Sequence, residues 1–345
     1  MLRYRHILLF IGFVFVLSGC DFRREALITG RTMGTTYSVK MVTGYFRDFS
    51  ELQKKIEVRL EQINDSMSTY IADSEISRFN RLEKAGEPFR VSDDFLRVMQ
   101  IAEEVYRLSD GSWDATVKPL VDLWGFGAAE APLAEPPPAA VESILEQVGF
   151  DQIEIRSAGY LVKHNPHVTL DLASIAKGYG VDALADLIRA EDIHDFLVEI
   201  GGEVFAAGTK KGGSLWRVGV NTPRKEAPVH QVYKVVELQN RALATSGGYR
   251  NFLEIDGIRY QHVIDPRTGY PVSNGVVSVS VEAADCTLGD GLATALMVMG
   301  VANGLDLLND LKGVEGLIVA VQEDGSFVDH YSAGHRFTEI SYKYQ

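Results

Sequence analysis

The chain has 345 residues, enough to bury a large core as two or three domains or as one extended α+β unit. It carries 47 Asp and Glu residues against 34 Lys and Arg, a net charge of −13, with no basic tract after the N-terminus. This balance argues against a nucleic-acid-binding protein, because phosphates would be repelled, and no nucleic acid is expected among its partners. An anionic substrate would need a metal ion or helix N-termini to bind.

The first residues have the pattern of an export signal. Arg3 and Arg5 precede an apolar run from Ile7 to Leu17, which is too short to span a bilayer and is typical of a signal-peptide core. We therefore expect residues 1–19 to be a signal peptide that is removed.

The signal ends in LSGC, with Cys20 last, which resembles the bacterial lipoprotein box. That resemblance implies a lipidated Cys20 at the start of the mature chain, and Asp21 resembles the sorting signal for retention at the inner membrane. We expect an inner membrane lipoprotein facing the periplasm, held at the membrane through lipidated Cys20. The only other thiol is Cys286, so no intramolecular disulfide is possible once Cys20 is lipidated.

The first elements of the mature chain can be predicted from local patterns. After a tether over residues 20–31, residues 34–44 are predicted as the opening strand. Ser50 is predicted to cap a helix, with Gln53 at the capping-box position and apolar residues at helical spacing as far as Met67.

Further along, helices are predicted at residues 92–108, 174–190 and 285–299. Residues 128–140 are rich in Pro and Ala and are predicted to form an exposed loop. Hairpin signals outnumber helix crossovers, so we expect one mixed α+β domain over residues 32–345, with largely antiparallel sheets and packed helices.

The dipeptide Asp256-Gly257 joins two strand-like runs and fits a type I′ hairpin turn. His262 then lies on the returning strand, just before a turn stiffened by Pro266, and alternation places Tyr260, His262 and Ile264 on one face. A strand end before a stiff turn suits a reactive group. The commoner alternative is a half-buried histidine bonded to a neighbouring carbonyl, and the pattern alone does not exclude it.

A second candidate lies in residues 168–184, where strand-like VTLDL breaks into an amphipathic helix. Asp171, the Ser174 backbone and Lys177 gather at this junction, and a helix N-terminus suits a phosphate or carboxylate. Asp171 as a helix cap, with Lys177 exposed, is the commoner arrangement of such residues.

Asp290 and Thr294 are four residues apart in a predicted helix, so their side chains share one face. With a backbone carbonyl, their oxygens would favour Mg²⁺ over Zn²⁺, above all if substrate phosphates complete the coordination shell. A buried threonine bonded to its own helix is the structural alternative.

Two glycine-rich turns, at residues 199–204 and 244–252, permit close approach of the backbone to a ligand, although ordinary hairpins need the same glycines. In GSWDATV, Trp113 either stacks on a planar ring or covers the core, with Asp114 beside it. The sequence contains no HExxH, CxxC, GxxxxGK[ST] or GxSxG motif.

Seven segments together resemble the ApbE family, the FAD:protein FMN transferases: TMGTTY, STYIADSEISRFN, GSWDATV, DLASIAKGYGVD, TSGGYRN, HVIDPRTG and DGLATAL, in this order. The resemblance covers nearly the whole mature chain from Thr32 and implies an ApbE-like, T-fold-like α+β fold. It implies transfer of FMN from FAD to a threonine hydroxyl of a partner protein, with Mg²⁺ bound and AMP released. The acceptors it implies are subunits of membrane respiratory complexes, of the Na⁺-translocating NADH:quinone reductase or Rnf type.

The same resemblance assigns roles to individual residues. It implies Mg²⁺ ligands at the Ser174 carbonyl and at the side chains of Asp290 and Thr294, while Ala293 stands where some members carry an acid. With this context we expect His262 to act as the general base. Lys177 either balances phosphate charge or pairs with Asp171. FAD contacts are implied at Met33, Tyr70, Ser112, Trp113, Asp114, Asp171, Lys177, Tyr249 and Ile264.

Two other functions fit the same residues. Water in place of the acceptor would give a Mg²⁺-dependent FAD pyrophosphatase that yields FMN and AMP. A site without turnover would give a periplasmic flavin-binding lipoprotein, whose FAD binding would not depend on His262. Rapid AMP release without an acceptor would distinguish the first of these from a transferase.

Overall fold

A computed structural model describes residues 23–127, 132, 134–156, 159–228, 231–249 and 251–339. The predicted signal peptide and Cys20 lie outside these residues. Within them, antiparallel strands combine with packed helices, which confirms the predicted α+β class with largely antiparallel sheets.

The described residues contain sixteen strands in four sheets. The strands are β1 (Arg23–Thr32), β2 (Thr35–Gly44), β3 (Phe89–Arg90), β4 (Ile153–Arg156), β5 (Tyr160–Lys163), β6 (Phe196–Ile200), β7 (Glu203–Ala207), β8 (Trp216–Asn221), β9 (Val232–Leu238), β10 (Arg241–Gly247), β11 (Phe252–Ile255), β12 (Ile258–Gln261), β13 (Val276–Ala283), β14 (Glu315–Val321), β15 (Phe327–Tyr331) and β16 (Thr338–Glu339). The main sheet has the order β1-β2-β6-β7-β10-β13-β14-β15, and the small ones are β11-β12, β16-β9-β8 and β3-β5-β4.

Seven α-helices occur in the same described residues. They are α1 (Ser50–Met67), α2 (Glu75–Asn80), α3 (Asp93–Leu108), α4 (Lys118–Leu123), α5 (Pro138–Leu145), α6 (Ala176–Ala190) and α7 (Cys286–Asp310).

Helices cover one face of the main sheet, and a small sheet covers the other. Ile56 of α1 and Leu184 of α6 share a core with Val39 of β2, while α7 packs against β13 further along the sheet. On the opposite face, Trp216 of β8 and Leu243 of β10 lie in the core between the main sheet and β16-β9-β8. The central strands of the main sheet are therefore buried on both sides.

The predicted tether is wrong for residues 23–31, because the chain forms β1 from Arg23 onwards and pairs with β2 over its whole length. Ile28 and Thr32 are buried on one face of β1 while Leu27 on the other face is exposed, the period of two expected of a half-buried strand. The strand predicted at residues 34–44 is confirmed as β2, the second strand.

The predicted cap and capping box at Ser50 are also wrong. α1 begins at Ser50 itself, Phe49 occupies the cap position without a side-chain bond, and the Ser50 N–H donates to Asp48 Oδ1 at 3.1 Å. By contrast, the helix predicted to start at residue 92 is confirmed as α3, with Ser92 as its cap: its Oγ accepts from the Phe95 N–H at 3.2 Å.

Residues 168–172, predicted as a strand, lie in no strand of the described chain. The Asn80 side chain accepts from the Leu170 N–H at 2.7 Å and donates to its carbonyl at 2.9 Å. The Asp171 N–H donates to the Ala115 carbonyl at 2.7 Å. These partners take up the backbone groups that a neighbouring strand would otherwise bond.

Two further boundaries differ from the prediction. The loop expected over residues 128–140 ends earlier, because α5 begins at Pro138, a residue favoured in the first turn of a helix. Residues 128–131 and 133 of that loop lie outside the described residues. α7 continues to Asp310, past the predicted end at Met299, although Gly300 interrupts its helical backbone with a φ of 78°.

The apolar composition of α7 follows from its position. By length and composition it could cross a membrane, but half of its most apolar stretch is buried inside the protein. Leu292, Leu296 and Met297 lie in a core shared with β13 and β14. Burial against the sheet is therefore enough to explain the apolar composition of α7, and no bilayer is required.

Candidate active site

A cavity of about 460 Å³ lies beside the turn from β6 into β7 and the first turns of α6 and α7, within the size range of small-molecule sites. Every predicted site residue except Met33 and Tyr249 lines it: Tyr70, Ser112, Trp113, Asp114, Asp171, Ser174, Lys177, His262, Ile264, Asp290 and Thr294. The fold thus brings together segments that are far apart in sequence.

α6 and α7 approach closely at Gly178, and this approach fixes Asp290. A Cβ on Gly178 would lie 2.4 Å from the Cys286 carbonyl oxygen, so only glycine fits there. The Gly178 N–H donates to Asp290 Oδ2 at 2.9 Å instead of bonding four residues back along its own helix. The Ser174 carbonyl is thereby left open to another ligand.

Lys177 lies between two buried carboxylates. Its Nζ is 2.6 Å from Glu203 Oε1 and 4.0 Å from Asp290 Oδ1. Burial lowers the pKa of Lys177, but attraction to Asp290 and Glu203 outweighs it and raises the pKa overall, so the side chain is a cation. The suggested pairing with Asp171 is wrong, because Asp171 Oδ1 accepts instead from the Ala173 N–H at 2.8 Å.

Glu203 is the residue that sequence reasoning missed. Its side chain is only 2% exposed, lines the cavity and leaves Oε2 buried without a hydrogen-bond partner. Burial, together with repulsion from Asp290, raises the pKa of the Glu203 carboxyl to about 8 against the opposing attraction of Lys177. Residues 199–204, EIGGEV, include Glu203 directly after the glycine pair, but the prediction considered only the glycines of this turn.

The Thr294 hydroxyl group bonds a neighbouring strand and not the backbone of its own helix. Its Oγ1 lies 2.8 Å from Ser246 Oγ at the end of β10. This bond crosses from α7 to the last residues of β10, where Ser246 and Gly247 also line the cavity. Thr294 therefore belongs to the cavity wall together with Asp290, a position that a metal ligand would need.

His262 follows β12 directly, and the predicted hairpin is confirmed with positive φ angles of 51° at Asp256 and 80° at Gly257. The imidazole Nδ1 lies 3.1 Å from the Asn251 carbonyl, and a carbonyl only accepts, so Nδ1 carries the proton. Burial lowers the pKa of His262, and Lys177 lowers it further against the opposing bond to Asn251. The neutral ring thus has its lone pair on Nε2.

Three residues of the segment before α4, at positions 112–114, also line the cavity. Trp113 is 3% exposed and donates from Nε1 to Ser174 Oγ at 2.9 Å, so it braces the junction and packs in the core. Asp114 is buried, and its two oxygens accept from the Thr116 and Phe150 N–H groups at 2.7 and 2.9 Å. Ser112 Oγ is buried without a partner in the described chain.

The remaining predicted FAD contacts differ in position. Tyr70 is 78% exposed where it borders the cavity, and Ile264 is buried in the cavity wall. Met33 lies outside the lining and packs against two of the apolar cores, and Tyr249 also lies outside it, beside Gly247. The structure therefore brings these two residues near the site but not onto the cavity wall.

The donor set fits a hard cation only in part. Asp290 supplies one carboxylate, Thr294 a hydroxyl and Ser174 an open carbonyl, which are the oxygen ligands that Mg²⁺ accepts. Among the described residues, no group of three or more His, Cys, Asp or Glu side chains could hold a metal ion. Mg²⁺ usually keeps several waters or substrate oxygens, so an incomplete protein shell is compatible with it.

The fold is that of solved flavin transferases. The flavin transferase ApbE from Vibrio cholerae superposes with a TM-score of 0.82 at 39% identity, covering 90% of this chain and 98% of that one. The apo flavinyl transferase ApbE from Pseudomonas stutzeri gives 0.80 at 36% identity, covering 90% and 95%.

The sequence comparisons agree with the structural ones. The sequence model of the ApbE family matches residues 33–318. The FAD:protein FMN transferase of Vibrio cholerae is 39% identical over 93% of this chain and 95% of its own length. That of Haemophilus influenzae is 35% identical over 93% of both. The chain belongs to the ApbE family, as the seven sequence segments predicted.

Proposed function

We propose that this protein transfers FMN from FAD to a threonine hydroxyl of a partner protein, with AMP released and Mg²⁺ bound at the site. The observation that carries the proposal is that His262, Lys177, Asp290 and Thr294 line one cavity. The Vibrio cholerae and Haemophilus influenzae relatives bear the name FAD:protein FMN transferase, which supports FAD as the substrate.

The proposed reaction is a displacement at phosphorus. The threonine oxygen forms a bond to the phosphorus on the FMN side of the FAD diphosphate. The bond from that phosphorus to the bridging oxygen breaks, and AMP leaves with the bonding electrons. His262 Nε2 takes the hydroxyl proton, since Nδ1 is already protonated and bonded to Asn251.

The diphosphate is anionic and repels an attacking oxygen, so its charge must be balanced. Lys177 carries a positive charge on the same wall as Asp290 and Thr294. Asp290, Thr294 and the Ser174 carbonyl would hold Mg²⁺, which when bound supplies charge neutralisation and orients the phosphates.

We infer a setting at the membrane from the sequence. LSGC supports lipidation at Cys20, and Asp21 supports retention at the inner membrane, with the protein facing the periplasm. Subunits of membrane respiratory complexes, of the Na⁺-translocating NADH:quinone reductase or Rnf type, are the acceptors consistent with that place.

The function is tested by incubating the protein with FAD, Mg²⁺ and a threonine-containing acceptor peptide. We expect a fluorescent peptide that survives denaturing electrophoresis and one AMP per flavin transferred. His262→Ala should lower the rate by about a hundred- to ten-thousand-fold, the usual contribution of a general base. The matched control is His164→Ala, since that imidazole is 54% exposed and is not part of the cavity lining.

The same assay separates the alternatives. AMP released at the full rate without a peptide would identify an FAD pyrophosphatase, and FAD binding without AMP or labelled peptide would identify a storage protein. Replacing the peptide threonine by alanine should abolish labelling. Persistent labelling of the alanine peptide would contradict the proposed acceptor group.

A further inference from the structure

An exposed aromatic pair lies where β2 ends. Phe46 is 94% exposed and Tyr45 is 60% exposed, with their rings 5.3 Å apart in an edge-to-face contact. The Arg24 guanidinium lies 5.8 Å from the centre of the Tyr45 ring. Here Tyr45, Phe46 and Arg24 are together called the aromatic corner. Contiguous exposed apolar groups mark protein or membrane contact surfaces, and here two neighbouring rings are exposed together.

The aromatic corner is at the opposite end of the β1–β2 hairpin from the cavity. Arg23 pairs with Gly44 at the corner end, and Thr32 pairs with Thr35 at the other. At that other end the Gly201 N–H donates to the Thr36 carbonyl at 3.1 Å, and Gly201 lines the cavity. With a rise of about 3.3 Å per residue, the strand from Thr36 to Tyr45 separates corner and cavity by about 30 Å.

The corner is also where the chain enters the fold. Only Asp21 and Phe22 separate Cys20 from the start of β1 at Arg23. Three residue steps of fully extended chain span at most about 11 Å. A lipid on Cys20 would therefore hold the first pair of β1 within about 11 Å of the membrane interface, whatever path those residues take.

Charge contributes little at this end of the molecule. Arg23 Nη1 is 2.8 Å from Asp195 Oδ2, and Arg47 Nη2 is 3.6 Å from Glu191 Oε2. Paired guanidinium groups attract anionic headgroups weakly, and the whole chain carries −13. Any partner of the corner must therefore be recognised mainly by its apolar or interfacial character, which suits aromatic side chains at a headgroup boundary.

We propose that the aromatic corner contacts the phospholipid bilayer, so that the cavity faces away from the membrane at a height of up to about 30 Å. This orientation rests on the proposed lipidation of Cys20. The orientation restricts which acceptor proteins can react. To reach His262, the acceptor threonine must lie at about that height above the bilayer, on a domain that projects from the membrane.

The experiment uses the full-length lipoprotein, processed by its host and reconstituted in vesicles, with Phe46→Cys carrying a nitroxide label. Cys286 is buried, and a lipidated Cys20 has no free thiol, so the parent protein should take up no label. We expect the label at position 46 to collide several-fold more with oxygen, relative to a water-soluble nickel chelate, than a label at Ile258→Cys. Ile258 is the matched control, since it is 57% exposed on the β11–β12 hairpin near the cavity.

Zwitterionic and anionic vesicles should give the same result, because the corner's arginines are near acidic partners or aromatic rings. Equal water exposure at both labels, in protein that floats with the vesicles, would overturn the orientation. So would a label at position 46 in vesicles that neither oxygen nor the nickel chelate reaches, since a second protein copy would then cover the corner. Protein that does not float would overturn the lipid anchor and this inference together, while flavin transfer in detergent would still test the proposed function separately.

Discussion

The protonation of His262 is set by two neighbours of different kinds. The Asn251 carbonyl accepts a hydrogen bond from Nδ1–H, which keeps the proton on Nδ1 and leaves Nε2 as the basic nitrogen. Burial and the nearby Lys177 cation both lower the pKa of the ring from its ordinary value of 6.5. A base with a lowered pKa is weaker but stays neutral over a wider range of pH.

A pH profile tests this protonation. The active form is the neutral one, so kcat/KM for flavin transfer should fall as the pH drops through the pKa of His262, with a midpoint below 6.5. The measurement is the initial rate of peptide labelling at low FAD and saturating Mg²⁺ between pH 5 and pH 8. A midpoint above 6.5 would show that the ring binds its proton more tightly than its surroundings imply.

Glu203 keeps the Lys177 ammonium group away from Asp290. Above pH 8, where the Glu203 carboxyl is ionised, Glu203→Gln retains an oxygen acceptor but removes the charge, so Lys177 should shift towards Asp290 and compete there with Mg²⁺. We expect the Mg²⁺ concentration for half-maximal activity to rise about tenfold, equivalent to about 1.4 kcal/mol, with the rate at saturating Mg²⁺ changed by less. The matched control is Glu199→Gln, whose carboxylate bonds the adjacent Gly202 N–H but does not line the cavity.

If the Mg²⁺ requirement of Glu203→Gln equalled that of the parent, Glu203 would have no influence on the metal site. A loss of activity at every Mg²⁺ concentration would instead point to a direct role in the reaction. Neither result is expected from a carboxylate whose nearest charged partner is Lys177 at 2.6 Å.

At the scale of elements, the start of α7 is anchored by α6. Asp182 of α6 accepts from the Cys286 and Thr287 N–H groups, each at 2.8 Å, and from the Thr287 hydroxyl at 2.6 Å. Asp285 accepts from the Leu288 N–H at 2.9 Å. The two aspartates thus bond N–H groups of the first turn, which have no acceptor within the helix itself. Asp290 lies one turn further on, so this anchoring positions the site.

Asp182→Ala should leave three donors without their acceptor at the start of α7. We expect the free energy of unfolding to fall by about 2 kcal/mol or more, as for other lost caps and buried hydrogen bonds. Asp186→Ala is the control on the same helix, because Asp186 is 79% exposed and makes only an ion pair with Arg189. Urea unfolding followed by circular dichroism measures both, and equal losses would contradict the anchoring role.

At the scale of the whole molecule, the cores are joined through the main sheet. β10 contributes Ala244 to the core under the helices and Leu243 to the core beneath the small sheet β16-β9-β8. Met33 packs against the core of α3 as well as that of α1. No boundary can be drawn between these cores without cutting a strand, so we expect the described part of the chain to unfold as one unit.

The three tryptophans report on this cooperativity. Trp113 lies in the core with α3, Trp124 beside α4 and α5, and Trp216 between the sheets. In variants that retain only one tryptophan, we expect its fluorescence transition in urea to coincide with the circular dichroism transition of the same variant. An earlier transition for Trp216 alone would identify the β16-β9-β8 layer as a separate unit.

Short-range patterns in the sequence were sufficient for several elements. The Asp256-Gly257 turn, the start of the helix at Ser92 and the shared face of Asp290 and Thr294 depend on backbone preferences and on side chains within a few residues. The same reasoning missed β1, whose alternation is interrupted by charged residues at its start, and Ser50, whose neighbour Asp48 bonds its N–H instead.

The sequence by itself determined the α+β class, the family and eleven of the residues that line the cavity, because these follow from local periodicity and from motifs in order. Only the tertiary structure decided that Lys177 pairs with Glu203 instead of Asp171, and that Gly178 on one helix orients Asp290 on another. Such pairs depend on which strands and helices become neighbours when the chain buries its apolar faces. Spacing along the sequence carries no information about that choice.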